Sequence, residues 1–316
     1  IAYASMNKDE QVRMKSSSGG IFSILAEYII KNNGVVYGAG FDEDFNIKHK
    51  RILYSTDLDL LRGSKYVQSS IGDIYKQVKN DLENNNPVLF TGTPCQVEGL
   101  RSYLRKEYVN LITMDFICHG VPSPLVWEKY LKKMKKSKQE NIKNIYFRNK
   151  DIGWKLFSLK IIFDKRIYSN DLNNDLFMKG FLQDVYLRPS CYNCKFKKIN
   201  RISDITVADF WGIENILPKM DDDKGTSLVV IHSEKGKQLF DKLSETMIIN
   251  EVDLNEAIKY NSSMIRSVKY NEKRNSFFAE LNSGKELTDL IRIYTKISFE
   301  KRVKNKIKSI IKRLIR

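Results

Sequence analysis

PVLFTGTPCQVEGLRSYL, residues 87 to 104, reads as a strand, a turn and a helix in quick succession: Pro87 introduces the apolar run, TGTP breaks it, and a helical segment follows. The same order recurs in NLITMDFICHGVPSPLVWEKYLKKM, residues 110 to 134. Two strand–turn–helix units in succession predict α/β architecture with functional turns at the strand ends, and each unit carries a cysteine in its turn, Cys95 and Cys118.

Working outward, SSSGG at residues 16 to 20 followed by IFSILAEYIIKNNG predicts a serine-capped helix ending near Gly34, its N-terminus open to an anion. GVVYGAGF, DEDF and NIKHKRIL predict a strand, a turn and a return strand, a hairpin rather than a dinucleotide fold, since GVVYGAG does not fit G-x-G-x-x-G. IGDIYKQVKNDLENN is a predicted helix. Beyond residue 140, NIKNIYFRNK and GWKLFSLKIIFDKRIYS shift to short alternating strands, an antiparallel extension. DITVADFWG and SLVVIHS are further strands and GKQLFDKLSE a helix, after which the chain reads as polar and helical to its end. The expected fold class is α/β, with mixed sheets and helices, an antiparallel extension and a C-terminal basic helix. The expected units are residues 1–86, 87–262 and 263–316, the first boundary lying at NNNP.

Composition is that of a globular chain: 316 residues, 42% hydrophobic, 11% aromatic, charges of both signs. The first residues lack the basic and apolar regions of a secretory signal, and no apolar run approaches the ~18 residues of a membrane span, so the expectation is a cytoplasmic protein. Half of the net charge of +16 sits in residues 301–316, which hold eight basic side chains and no acidic one. Val303, Ile307, Ile310, Ile311, Leu314 and Ile315 recur there at helical spacing. Such a helix has three outlets: an anionic membrane at the inner face, a partner, or the body of the protein itself. Neither this run nor a second one, KKMKKSKQENIK at residues 132 to 143, interleaves aromatics with Lys and Arg as a base-stacking surface does, which argues against nucleic acid.

The chain has four cysteines, Cys95, Cys118, Cys191 and Cys194, the last two in C-x-x-C spacing. Four is the number one tetrahedral thiolate site requires, and the residues alone leave open a zinc site, an iron–sulfur cluster, a redox dithiol or plain buried thiols. Disulfides fit poorly with a reducing compartment. His119, next to Cys118 in its turn, is a weak catalytic candidate; His49 and His232 lie in ordinary strand patterns and receive no role. A second constellation, rich in Gly, hydroxyls and backbone N–H groups, suits phosphate: Ser17, Ser18, Gly19 and Gly20; Ser64, Lys65, Tyr66 and Gln68; Thr91, Gly92, Thr93 and Pro94. Gly19 and Gly20 are expected to let the backbone approach a pyrophosphate.

RMKSSSGGIFSILAEYII, GVVYGAGFD, LRGSKYVQSSIG, VLFTGTPCQVEGLRSYL, DFICHGVPSPLVW, FRNKDIGW, LRPSCYNCKFKKINRISDITVADFWGI and KGTSLVVIHS follow one another in this order. Over roughly residues 10 to 235 the chain thereby resembles the beta-subunit family of coenzyme F420 hydrogenases and dehydrogenases, iron–sulfur flavoproteins. The resemblance implies that the four cysteines ligate one 4Fe-4S cluster, that FAD lies near SSSGG, SKYVQ and TGTP, and that electrons pass between the cluster, the flavin and a hydride-carrying small molecule. That molecule would be coenzyme F420 or a substrate of a surface-polysaccharide pathway. Many relatives carry a ferredoxin-like segment before the serine–glycine motif; here electrons would come from such a segment upstream of Ile1 or from a separate electron-transfer protein. Lys65 is the expected phosphate or flavin contact, and Asp209 and Trp211 the packing at a cofactor edge. The competing expectation is a zinc-stapled basic binding module without turnover.

Overall fold

The structure, a computed structural model, describes residues 1–137 and 139–296. Its strands are β1 (Ala2–Asn7), β2 (Val35–Phe41), β3 (Ile47–Ile52), β4 (Val88–Thr91), β5 (Leu111–Phe116), β6 (Ile142–Asn149), β7 (Ser158–Phe163), β8 (Ile167–Asp171), β9 (Ile205–Asp209), β10 (Ser227–Ile231) and β11 (Met247–Val252). Its helices are α1 (Glu10–Lys15), α2 (Ile21–Lys31), α3 (Leu58–Leu61), α4 (Ile74–Glu83), α5 (Pro94–Leu104), α6 (Pro124–Met134), α7 (Leu176–Leu182), α8 (Ile213–Ile216), α9 (Glu234–Lys242), α10 (Leu254–Ile258), α11 (Arg274–Asn282) and α12 (Leu287–Tyr294).

Eight strands form one mixed sheet in the order β11-β1-β10-β9-β5-β4-β2-β3. Four consecutive strands, β9, β5, β4 and β2, are parallel, and the flanking strands pair antiparallel. Parallel neighbours need a crossover, which α4 and α5 supply. All of β4 is buried, as a strand covered on both faces must be. Alternate residues point to opposite faces: Val88 and Phe90 pack with Ile74, Val78, Val97 and Leu100 of α4 and α5, whereas Leu89 packs with Leu25 and Ile29 of α2 and Phe240 of α9. The α/β expectation and the β2–β3 hairpin are borne out. So is the antiparallel extension, the three-stranded sheet β6-β7-β8, whose inner face shares a core with Trp127, Phe177, Phe277 and Leu290 from α6, α7, α11 and α12.

One strand received no assignment from the sequence and one expectation is corrected. β1, the second strand from one edge of the large sheet, has no strand signal in AYASMN; pairing on both sides with β10 and β11 makes it one. The segment after α9 is not wholly helical, because Met247–Val252 pairs with β1 as the edge strand β11. Strands from both sides of NNNP share the large sheet. Among the described residues no helix is long and apolar enough to cross a membrane, and the basic helix expected over 301–316 lies outside the described residues.

The serines before α2 do not cap it. The cap is Gly20, at φ +85° and with no side-chain hydrogen bond, while the Ser16 and Ser18 hydroxyls donate to the carbonyls of Val12 and Thr226 at 2.8 Å. The loop is laid across the ends of β1 and β10: Asn7 N–H donates to Gly19 O at 2.7 Å and Gly19 N–H to Ser227 Oγ at 3.0 Å. A Cβ at Gly19 would stand 2.5 Å from Ser5 O and 2.9 Å from Ser227 N, so sheet backbone, rather than an approaching ligand, explains the glycine.

Gly19→Ala is therefore expected to cost about 2 kcal/mol or more in chemical denaturation, by overpacking against immovable backbone. Gly63→Ala, at φ +83° but facing open space, should cost only the ~1 kcal/mol of a left-handed residue. Equal losses at the two sites would contradict this packing account. A second prediction concerns pH. Burial draws the imidazoles of His49 and His232 from 6.5 down to about 4. The unfolded chain then binds protons below about pH 6.5 that the folded chain refuses until about pH 4, so stability falls as pH falls through that window, by up to about 3 kcal/mol per histidine. His49→Gln should show a shallower decline between about pH 7 and pH 4.5 than the parent chain.

Candidate functional site

Cys95 and Cys118 occupy equivalent places on neighbouring parallel strands. Thr91 of β4 stands opposite Met114 of β5, and each cysteine lies the same short distance along the chain beyond its member of that pair. Thr93 and Gln96 form a capping box at the start of α5, with Pro94 as its first residue and Cys95 exposed in its first turn. Cys118 is half-buried in the loop that leaves β5.

The C-x-x-C segment is brought to this loop by backbone pairing. Pro122 bridges Leu187, Ser123 N–H donates to Tyr186 O at 3.0 Å and Arg188 N–H to Val121 O at 2.9 Å. Gly120 lacks a side chain where the Cβ of Cys191 comes within 3.4 Å of a Cβ built there. Cys191 lies in the turn Pro189–Asn193, and Cys194 N–H donates to Ser267 Oγ at 2.9 Å. Burial pushes the Cys118 thiol up to about 12, and the charges of Cys191, Cys95 and Cys194 push in the same direction, while Lys197 opposes them. The Lys197 ammonium donates to the carbonyls of Cys118 and His119. Three converging loops thus bring Cys95, Cys191 and Cys194 close enough to Cys118 to act on its thiol. Among the described residues, however, no three His, Cys, Asp or Glu side chains are grouped tightly enough to hold a single metal ion. A tetrahedral zinc, with Zn–S of about 2.3 Å, needs sulfurs within ~3.8 Å of one another.

The residues expected to hold phosphate meet in part. Ser17 Oγ accepts from Ser64 N–H at 2.6 Å and lies 2.9 Å from Ser64 Oγ, joining the SSSGG and RGSKYVQ loops. Gln68 N–H donates to Pro122 O at 3.2 Å, joining the second loop to the Cys118 loop. Thr91 Oγ1 donates to Tyr37 O, and Gly92 N–H to Met114 O. Lys65 turns elsewhere: its ammonium donates to Leu60, Leu61 and Arg62 carbonyls at 3.3, 2.8 and 3.0 Å at the end of α3, and burial draws its pKa down to about 7. Tyr66 packs among Phe147, Phe157 and Phe181.

Arg148 and Lys150 carry no sequence-level assignment, although FRNKDIGW contains them. The buried Arg148 guanidinium lies 3.9 Å from the centroid of Phe157 and 5.3 Å from that of Trp211, donates to Ser17 O at 3.3 Å and to Asp209 Oδ1 at 3.0 Å, and leaves its Nε unpartnered. Asp209 also accepts from Trp154 Nε1 at 2.9 Å, and Trp211 stacks on Trp154 with centroids 4.9 Å apart. Lys150 donates to the carbonyls of Arg13, Ser18 and Lys224. The one signal the sequence offers for them is the nearness of FRNK to a tryptophan. His119 pairs through Nε2 with Asp184 Oδ1 at 2.6 Å and meets the Phe181 ring edge-on.

No curated protein matches the chain. A chain of the solved structure described as a xenon derivatization of the F420-reducing [NiFe] hydrogenase complex from Methanosarcina barkeri superposes with a TM-score of 0.57 at 16% identity, over 90% of this chain and 93% of that one, a likeness of fold. A family described as the C terminus of the coenzyme F420 hydrogenase/dehydrogenase beta subunit matches residues 85–257, from the turn before β4 through most of α10. That match spans more than half of the chain, and the protein belongs to this family.

Proposed function

We propose that the chain is an iron–sulfur flavoprotein oxidoreductase in which Cys95, Cys118, Cys191 and Cys194 hold one 4Fe-4S cluster and FAD lies along the Ser17–Ser64 junction. The observation that carries this reading is the convergence of the C-x-x-C segment with the two strand-end loops, which brings Cys95, Cys191 and Cys194 close enough to Cys118 to act on its thiol. An iron–sulfur cluster accepts cysteine ligands from separate loops, and the zinc-stapled alternative is told apart from it by colour and metal content. When bound, the cluster supplies one-electron transfer and the flavin converts between one- and two-electron carriage.

The chain's own part is positional and electrostatic. Lys197, held at the Cys118 and His119 carbonyls, sets a positive charge against the thiolates. The first N–H groups of α2 have no side-chain cap, and Ser17, Ser18, Ser64, Tyr66 and Gln68 line the loops in front of them as the flavin's expected contacts, with Gly20, Thr91, Gly92, Thr93 and Pro94 shaping the backbone. Arg148 and Lys150 hold that loop by its carbonyls. The His119–Asp184 pair is the candidate proton-handling group. The substrate is a hydride-carrying small molecule, coenzyme F420 or a compound of a surface-polysaccharide pathway. The partner is an electron-transfer protein or ferredoxin-like segment, and residues 301–316 supply an anionic-membrane contact.

Protein purified without oxygen is expected to be brown, to contain iron and sulfide in equal amounts, about four of each per chain, and to release FAD on denaturation. Replacing any one of the four cysteines by Ser should lower iron, sulfide and thermal stability together, since the metal site contributes to folding. Full iron and sulfide in Cys95→Ser would remove Cys95 from the ligand set, and a colourless protein containing zinc would overturn the whole reading.

A further inference from the structure

His49 lies in an ordinary strand pattern that suggests no role for it, yet it sits at one end of a hydrogen-bond chain that reaches Thr93, the residue whose hydroxyl lies 3.0 Å from a cysteine sulfur. Its Nε2 lies 3.0 Å from Thr91 O and its Nδ1 2.9 Å from Ser69 Oγ. A carbonyl only accepts, so Nε2 carries the proton. The ring is buried, stacks on Phe90 and stays neutral, its pKa drawn down to about 4, which leaves Nδ1 as a lone pair. Ser69 must therefore donate its hydroxyl proton to Nδ1, and its oxygen is left to accept.

The group that donates to it is Gln96 Nε2, at 2.9 Å. This contact fixes the amide, nitrogen toward Ser69 and oxygen toward the start of α5, an orientation that otherwise has two near-equal choices. Gln96 Oε1 then accepts the Thr93 N–H at 2.9 Å. The Thr93 hydroxyl has two acceptors in reach, Gln96 Oε1 at 3.1 Å and Cys95 Sγ at 3.0 Å. The backbone N–H already occupies one lone pair of Oε1, and a sulfur that bears thiolate charge is the stronger claim on the proton.

We propose that Thr93 donates its hydroxyl hydrogen bond to Cys95 Sγ and so sets the reduction potential of the group this sulfur ligates, with Gln96, Ser69 and His49 as positioning residues that hold Gln96 Oε1 on the Thr93 N–H and leave the hydroxyl to the sulfur. The inference rests on the cluster reading given above. A donor at a ligand sulfur stabilises the negative charge that arrives on reduction, so its loss makes reduction harder. Cys95 is the exposed cysteine of the four, the one whose sulfur water would otherwise contact, and a fixed donor replaces that variable one.

The test is a dye-mediated redox titration of the anaerobically prepared protein, followed by visible absorbance and electron paramagnetic resonance, with iron and sulfide assayed on each sample. Thr93→Val, which keeps the shape and removes the hydroxyl, is expected to retain iron and sulfide and to shift the midpoint potential to a more negative value. Thr93→Ser should return it toward the parent value, and Ser69→Ala, which touches no cysteine, should shift it less and in the same direction. A parent chain that takes up no iron and sulfide overturns the cluster reading and this inference together. A loaded Thr93→Val protein with the parent potential overturns this inference alone. If Thr93→Val fails to load, Ser69→Ala decides: a negative shift supports the chain, and an unmoved potential sinks it.

Discussion

The register between β4 and β5 is the constraint on which the candidate site depends. Phe90 faces Thr113 and Thr91 faces Met114, and the offset in sequence within each of these pairs is the same one that separates Cys95 from Cys118. Two cysteines that look scattered in the sequence are one position repeated on adjacent parallel strands, about 4.8 Å apart in the sheet direction before the turns diverge. A slip of that register would move one turn along the other, turn β5 over and bury the wrong face. The buried strand Val88–Thr91, with Leu89 on one core and Val88 and Phe90 on the other, beside Leu111 and Met114 of β5 on opposite cores, excludes such a slip. The hydrophobic core thus fixes the spacing of the two thiols, and the Pro122–Leu187 bridge then carries the C-x-x-C pair to them.

The loops facing this edge are held by buried and half-buried basic side chains that donate to backbone carbonyls. Lys150 gathers three carbonyls from three segments, Lys65 three from the end of α3, and Arg13 pairs with Asp222 while donating to Gly225 O. Burying a cation is costly unless its donors are met, so such lysines add little net stability but penalise every arrangement that leaves them unsatisfied. In this chain they specify the path of SSSGG and of DKGTS over β1 and β10, where a small error would disturb the surface in front of α2.

Local signals suffice for the central units. Pro87 before an apolar run, TGTP after it and the repeat of that order are enough for β4, α5, β5 and α6, and DEDF between alternating residues is enough for the β2–β3 hairpin. What stays illegible is set by distant partners. AYASMN is made of small and polar residues with weak strand preference, and β10 and β11, near the other end of the described chain, decide its state. Ser16, Ser17 and Ser18 look like helix caps because a hydroxyl beside a helix start usually is one, yet Ser16 bonds back to Val12 of the preceding helix, and Ser17 and Ser18 find partners in remote loops. Gly19 offers the same trap: a glycine before a helix suggests ligand approach, and only the position of Ser5 O reveals that the sheet requires it. The gathering of the cysteines is legible through the motifs; the partners of Arg148, Lys150 and Lys197 are not, because each contact joins segments far apart in the chain.

Charge at the site follows the same logic of remote partners. The chain's basicity draws attention to its C-terminal run, but residues 188–202 hold five basic side chains and no acidic one, wrapped around the C-x-x-C pair. These charges have separate uses. Arg201 forms a buried pair with Asp115 beside the strand that leads to Cys118, Lys198 pairs with Glu98 on α5, and Lys197 reaches the Cys118 carbonyl. Arg188 and Lys195 remain exposed. Burial pushes Cys118 and Cys191 toward their neutral forms, and the charges of the neighbouring cysteines act in the same direction. Nearby cations and a bound metal group act in the opposite direction, because both favour the charged sulfur. Lys197 and Arg188 are therefore the members of this basic segment that act on the thiols, lowering Cys118 and Cys191 respectively, while Arg201 and Lys198 are taken up by carboxylates.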